Sequence, residues 1–260
     1  SGIVKFGFAP VGETIMNAVK LALDCENLNL KGLHCHIGSQ IFETEPYKDA
    51  VEIMMNFMKE IKDQTGHIIP ELDLGGGFGI HYTDEDKPRE PKEYCEVILN
   101  KVDEVCSRLN IERPILTIEP GRSIVGNAGI TLYTIGAIKN IEGVRTYVSV
   151  DGGMTDNIRP ALYGAKYEMA IANKIDEKAN TRVAIAGKCC ESGDIFIEDI
   201  CIQKPEIGDI LAVFSTGAYG FSMSSNYNKN PKAPVVFIKD GVVRLVSKRQ
   251  SYEELLELEV

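Results

Sequence analysis

Apolar residues recur at helical spacing over Glu13 to Cys25, where Ile15, Val19 and Leu23 fall on one stripe, and again over Tyr47 to Ile61 and Tyr94 to Leu109. Short extended runs separate these amphipathic stretches. Val4 to Phe8, Leu30 to Ile37, the segment holding Leu72 and Leu74, and Ile115 to Ile118 read as strands. Four strand-then-helix units, spaced by about 40 residues and ending in a short helix, predict βαβ repeats in a parallel sheet. The units share little sequence, so the repeat is one of architecture.

Beyond Gly129 the period changes. Ile130 to Ile138, Thr146 to Val150, Arg182 to Ala186, Ile195 to Ile202, Ile210 to Phe214, Val235 to Ile238 and Val242 to Val246 are short β-type runs broken by Gly, Pro, Asn and Asp, and Tyr252 to Leu258 is a final helix. The expected fold class is therefore α/β plus all-β: part of a (β/α)8 barrel over residues 1–129, then a β-sandwich or barrel-like domain over 130–260. Four βα units cannot close an eight-stranded barrel, and a half barrel leaves strand edges and an apolar interior open to water. Either the sheet is open or the chain continues upstream of Ser1; the abrupt start on a strand favours continuation.

Composition narrows the partners. A net charge of -10 argues against nucleic acid and anionic membrane, because attraction to phosphate needs a basic face. No apolar run approaches membrane length and the first residues lack a signal-peptide layout, so a soluble protein is expected. The seven cysteines are odd in number and follow neither disulfide nor zinc spacing, which fits a reducing cytoplasm.

Three motifs fall where strands should end: His34-Cys35-His36-Ile37-Gly38-Ser39, Gly75-Gly76-Gly77-Phe78-Gly79, and Glu119-Pro120-Gly121-Arg122-Ser123. They share the carboxyl edge of the expected parallel sheet, where α/β folds place their ligands. The glycine run lets consecutive backbone N–H groups approach an anion, phosphate above all, or it makes a tight turn. Ser39, Gly121 and Arg122 add donors at the same edge and favour the anion. Glu119 ends a strand expected to be buried, so its carboxylate needs a cationic partner: Arg122 three residues on, or a protonated heteroaromatic nitrogen.

His34 and His36 share one face of their strand. They read as packed histidines, as the start of a metal site like that of amidohydrolases, or, for His36, as a ring lying against an aromatic cofactor. A metal site needs further ligands from later strand ends, and only His67 and His81 remain; no metal is expected.

Three further motifs lie in the second half. In Asp151-Gly152-Gly153-Met154-Thr155-Asp156-Asn157-Ile158-Arg159-Pro160-Ala161-Leu162-Tyr163, Arg159 and Tyr163 would share a helical face, as a clamp for one carboxylate or as a stacked pair. Cys189-Cys190-Glu191-Ser192-Gly193-Asp194 sets thiols and acids in one turn, fit for a proton donor or nucleophile, or for a structural cysteine. The run from Gly217 to Asn228 is a polar, aromatic loop suited to closing over a ligand.

Taken in order, HCHIGSQ, GGGFG, EPGRS, DGGMTDNIRPALYG, CCESGD and GAYGFSMSSNYN resemble diaminopimelate decarboxylase, of the alanine-racemase-like class of pyridoxal-phosphate enzymes, from about Lys5 to the final helix. The resemblance implies pyridoxal 5'-phosphate as cofactor, an amino-acid substrate, a homodimer with shared sites, and decarboxylation of meso-diaminopimelate to L-lysine. It assigns the ring stack to His36, the phosphate to Ser39, Gly75, Gly76, Gly77, Gly121 and Arg122 beside Pro120, and the pyridine nitrogen to Glu119. Arg122, Arg159 and Tyr163 would hold the retained substrate carboxylate, Glu191 the distal ammonium, and Tyr219 both cofactor and substrate. Cys190 would return a proton to the α-carbon, its turn reaching across a two-fold interface.

One departure stands out. The family's Schiff-base lysine lies in a Tyr-Ala-x-Lys-Ala-Asn type motif, and nothing like it occurs here. The expected architecture is then the C-terminal half of the barrel plus the β domain, a fragment inactive alone. Two other readings are a non-catalytic relative that keeps the pocket as a binding module and a metal hydrolase built on His34 and His36.

Overall fold

The computed structural model describes residues 6–8 and 13–260 and divides into two compact units, Ser1–Ile80 with Lys87–Ser123, and His81–Asp86 with Ile124–Val260.

In the first unit three strands, β1 (Gly32–His34), β2 (Glu71–Asp73) and β3 (Ile115–Thr117), run parallel in the order β1-β2-β3, with His34, Asp73 and Thr117 in register. Helices α1 (Thr14–Asp24), α2 (Glu45–Thr65) and α3 (Pro91–Leu109) alternate with them, and α4 (Gly121–Val125) follows β3. The run expected to be the first strand, Val4 to Phe8, lies partly outside the described residues, and residues 6–8 form no strand. Local chemistry sets the helix ends: Glu90 and Glu93 form a capping box at the start of α3, while Gly66 and Asn110, both left-handed, stop α2 and α3.

The apolar stripes of these helices meet one sheet face, burying Val51, Met55, Ile61, Val102 and Val105 with Leu72. The other face is polar and open. It presents His34, Asp73 and Thr117 across the three strands, with Ile115 exposed beside them.

At the strand ends an aromatic cluster supports the glycine loop. Phe78 stacks on Tyr94 at 4.4 Å and Tyr47 meets both edge-on. The buried Tyr47 hydroxyl donates to the Gly76 carbonyl at 3.0 Å, and that of Tyr94 to the Ile41 carbonyl at 2.8 Å.

The second unit is mostly β. Strands β4 (Thr131–Ile141), β5 (Arg145–Val150), β6 (Met169–Ile171), β7 (Thr181–Ala186), β8 (Ile195–Ile202) and β9 (Ile210–Val213) make one sheet in the order β6-β9-β4-β5-β7-β8. Only β5 and β7 pair in parallel. Gln203, just after β8, accepts the Ile171 amide of β6 through its side chain at 2.9 Å, so the two edges approach one another as in a barrel. Helix α5 (Arg159–Tyr163) interrupts the strands, and β10 (Val235–Lys239) with β11 (Val242–Ser247) forms a separate hairpin before α6 (Tyr252–Leu256).

Segment His81–Asp86 packs with this unit through its backbone. Asn127 and Ser215 donate to the His81 carbonyl, and the Glu168 amide to that of Tyr82. Among the described residues no helix is long and apolar enough to cross a membrane.

Candidate active site

In the first unit the three strand ends converge on the open face. His34 Nε2 lies 3.2 Å from Glu119 Oε2, while Arg122 donates to Ser39 Oγ at 2.9 Å. Glu119 is thus not the buried acid that its apolar strand suggested: its side chain is 56% exposed, because it continues the uncovered face of β3. Arg122 is the buried member of the motif, at 9% exposure. His36 is exposed beside them, and its Nδ1 accepts the Gly76 amide at 3.3 Å.

The glycine run is required by close backbone packing. A Cβ on Gly76 would meet the Glu119 carbonyl oxygen at 2.0 Å, and one on Gly77 the Gly38 carbonyl oxygen at 2.4 Å; Gly75 and Gly77 also have positive φ. Several of its donors are committed internally. The Gly75 amide donates to Asp73 Oδ1 at 2.8 Å, the Gly76 amide to His36, and the Gly121 amide to the Glu119 carbonyl. The expected cradle of free N–H groups is therefore corrected at Gly75, Gly76 and Gly121, since each proton already has an acceptor. The Arg122 guanidinium, donating to the Ser39 hydroxyl, is the charged donor of this motif.

His34, Asp73 and Glu119 bring three ligand atoms within 4.8 Å of one another, as do His81, Asp84 and Glu168 in the second unit. Neither group contains His36, so the H-x-H pair is not gathered as a metal site among the described residues. His67 is turned to the Leu30 carbonyl and His81 to Glu168.

In the second unit Arg159 and Tyr163 share α5, as their spacing predicts, and the guanidinium lies over the Tyr163 ring at 5.6 Å. Two residues that the sequence did not single out complete its surroundings. Arg159 Nε donates to the hydroxyl of the buried Tyr167 at 2.8 Å, and the ring of Tyr82 lies 5.9 Å away. Tyr219, with positive φ, adds a third ring at 6.0 Å. Burial raises the Tyr167 phenol, which stays neutral and accepts from the guanidinium. Stacking and clamping are thus compatible, since the bond through Nε leaves the guanidinium's terminal edge as a possible carboxylate fork.

The Cys189–Asp194 turn is joined to the Gly152–Met154 loop: the Lys188 amide donates to the Gly152 carbonyl, and Asp194 accepts the Met154 amide. Cys190 and Glu191 are exposed, and the Tyr227 hydroxyl lies 3.4 Å from Glu191 Oε2. The Glu191 charge pushes the Tyr227 phenol up. The loop from Gly217 to Asn228 is tied down by the Ser225 amide, which donates to the Thr155 carbonyl, and is built from two short 3-10 turns.

Residues 2–126 match the family model described as "Pyridoxal-dependent decarboxylase, pyridoxal binding domain". The chain is 50% identical over 256 residues to the diaminopimelate decarboxylase of Bacillus subtilis (strain 168), covering 98% of this chain and 58% of that protein, and 45% identical over 253 residues to that of Staphylococcus aureus (strain COL). Its fold is similar to the crystal structure of diaminopimelate decarboxylase from M. jannaschii, with a TM-score of 0.91 and 36% identity over 99% of this chain and 58% of that one. A second structure of the M. jannaschii enzyme, in complex with L-lysine, matches with a TM-score of 0.88 and 36% identity, over 95% of this chain and 56% of that one.

Over residues 2–126 the chain is similar to the pyridoxal-binding domain of the pyridoxal-dependent decarboxylases, and its fold is similar to that of a solved member. It is a homologue of diaminopimelate decarboxylase over almost its whole length, and it spans under three fifths of the length of those relatives.

Proposed function

We propose that the chain supplies cofactor and substrate residues for the pyridoxal-phosphate-dependent decarboxylation of meso-diaminopimelate to L-lysine. The carrying observation is the joint placement, along one sheet edge, of the Arg122–Ser39 pair, the exposed His36 and the carboxylate of Glu119, in a chain half identical to a diaminopimelate decarboxylase. Cation, aromatic face and carboxylate suit the phosphate, ring and pyridine nitrogen of one cofactor. When bound, that cofactor serves as the electron sink that lets the bond from the α-carbon to the departing carboxylate break.

The protein's own groups do the rest. Arg122 and Ser39 hold the phosphate, beside the Gly75–Gly77 turn, Pro120 and Gly121. Glu119 keeps a proton on the ring nitrogen, and His36 lies against the ring. Arg159 and Tyr163 grip the retained carboxylate; Glu191 takes the distal ammonium, and Tyr219 contacts the substrate. The Cys190 thiol delivers a proton to the α-carbon after carbon dioxide leaves.

The finer expectations belong to the same proposal: a (β/α)8 barrel, a homodimer whose Cys190–Glu191 turn serves the partner's site, domains meeting near residue 129, and a cytoplasmic location in keeping with seven free cysteines. Because the chain has no lysine in the family's nucleophile motif, turnover is expected of a protein of the relatives' length and not of this chain alone. The test is to incubate the chain with pyridoxal phosphate, treat it with borohydride and analyse it by mass spectrometry alongside a lysine-release assay. No stoichiometric adduct and no lysine is the expected result. A pyridoxyl group on one specific lysine, with decarboxylation, would show that another lysine has taken the role.

A further inference from the structure

The Cys189–Asp194 turn carries two adjacent thiols, and its geometry treats them differently. Asp194 is only 4% exposed, and both its carboxylate oxygens are held by backbone: the Met154 amide donates to Oδ1 at 2.6 Å and the Cys189 amide to Oδ2 at 2.8 Å. Its own main chain closes the turn, its amide donating to the Glu191 carbonyl and its carbonyl accepting from Gly187. The surrounding space admits nothing larger. A Cβ on Gly153 would come within 2.5 Å of the carboxylate, and one on Gly187 within 2.2 Å.

This fixed carboxylate acts unequally on the thiols. Cys189, whose amide is tied to it, is partly buried, and burial followed by the Asp194 charge pushes its thiol up. Cys190, one residue on, is exposed. We propose that Asp194 is a positioning residue that selects Cys190 over Cys189 as the working thiol of this turn, by holding Cys189 against the buried carboxylate and leaving Cys190 open. This rests on Cys190 being the proton donor and adds how one of two neighbours takes that role. An amide cannot replace the carboxylate, because Asn offers one acceptor oxygen to two N–H donors and turns its NH2 against the other.

The test needs neither cofactor nor substrate. The purified chain is treated with limiting iodoacetamide, and modification of the two cysteines is followed by fragment-resolved mass spectrometry. Cys190 should react at least about fivefold faster than Cys189. In Asp194→Asn the ratio should fall below about twofold, through faster modification of Cys189. Gly187→Ala retains the charge but displaces the carboxylate, and should move the ratio in the same direction.

A role in stability alone would lower the melting temperature of Asp194→Asn and leave the ratio of the folded protein unchanged, which would overturn the proposal; equal rates in the unaltered chain would do so too. If neither variant folds, amide exchange in the unaltered chain decides. Slow exchange at Met154 and Cys189 supports the clamp, and exchange as fast as in open loops overturns it. Should the ratios behave as expected while Cys190→Ala in a protein of the relatives' length turns over normally, selection stands and the proton-donor reading fails.

Discussion

His34 Nε2 and Glu119 Oε2 meet at 3.2 Å, tying the end of β1 to the end of β3 across β2. The contact is half open to solvent on both sides, so as an ion pair it adds little to stability. Its consequence for the proposed function is that it aims a carboxylate along the edge that carries Arg122 and His36. Glu119→Gln should weaken pyridoxal-phosphate binding about tenfold, the usual scale for losing one charge-assisted hydrogen bond. Fluorescence titration of the purified chain checks it, and an unchanged affinity would remove Glu119 from the cofactor site.

Cys190→Ala, made in a protein of the relatives' length, should slow turnover by about 10²–10⁴-fold while cofactor affinity holds, as expected for loss of a general acid. Near-normal turnover would take Cys190 out of the mechanism. Mixed with a subunit lacking the Schiff-base lysine, the same variant should regain activity if the turn serves the partner's site, since one hybrid site then has both groups. Inactive mixtures with proven heterodimers would argue for sites built from single chains.

Apart from the run Val4 to Phe8, the expected strands and helices and their order were legible because apolar spacing is set by what each face covers. Ile195 to Ile202 is a strand over those very residues, and α2 and α3 extend the expected helices by only a few residues at their ends. Met169–Ile171 leaves no signal in the sequence, because a strand buried on both faces has no alternation and three residues carry little pattern. At the site, spacing could bring Arg159 and Tyr163 together within α5. It could not supply Tyr167 or Tyr82, nor the hold of Asp194 on the Met154 amide, because these contacts depend on how the loops pack. Glu119 departs from its expected burial for a related reason: an apolar strand shows that one face is covered and is silent about the other.

The glycine loop offers a stability test. Gly76→Ala would drive a Cβ to 2.0 Å from the Glu119 carbonyl oxygen, backbone that has no rotamer with which to yield. Overpacking of this kind costs roughly 1–3 kcal/mol or more. Tyr47→Phe, which only leaves the Gly76 carbonyl without its buried donor, should cost about 1 kcal/mol. Urea unfolding of both variants should rank them in that order, and equal midpoints would contradict the close approach.

Cys35 gives the chain a signature at alkaline pH. Burial, and then the charge of Asp73, push its thiol up to about 11 from 9.0. Well below pH 9 the thiol is protonated in folded and unfolded chains alike and contributes no slope. Between about 9 and 11 the unfolded chain ionises first and binds fewer protons, so stability falls as pH rises. Urea midpoints should therefore drop more steeply between pH 8.5 and 10.5 (roughly that window) in the parent than in Cys35→Ala. Parallel slopes would show that Cys35 does not ionise differently in the two states.

The β10–β11 hairpin carries exposed apolar side chains. Phe237, Ile238, Val242, Val243 and Leu245 are each more than half exposed, on a two-stranded sheet that no other strand among the described residues joins. An apolar patch with free strand edges invites pairing between chains. The purified chain should accordingly self-associate as its concentration rises. Replacing Phe237 and Val243 by Lys places like charges on the hairpin and should shift sedimentation toward the monomer without changing the circular-dichroism spectrum. Self-association that persists in the folded double variant would locate the sticky surface elsewhere, with the open face of the β1-β2-β3 sheet, where Ile115 is 65% exposed, as the next to test.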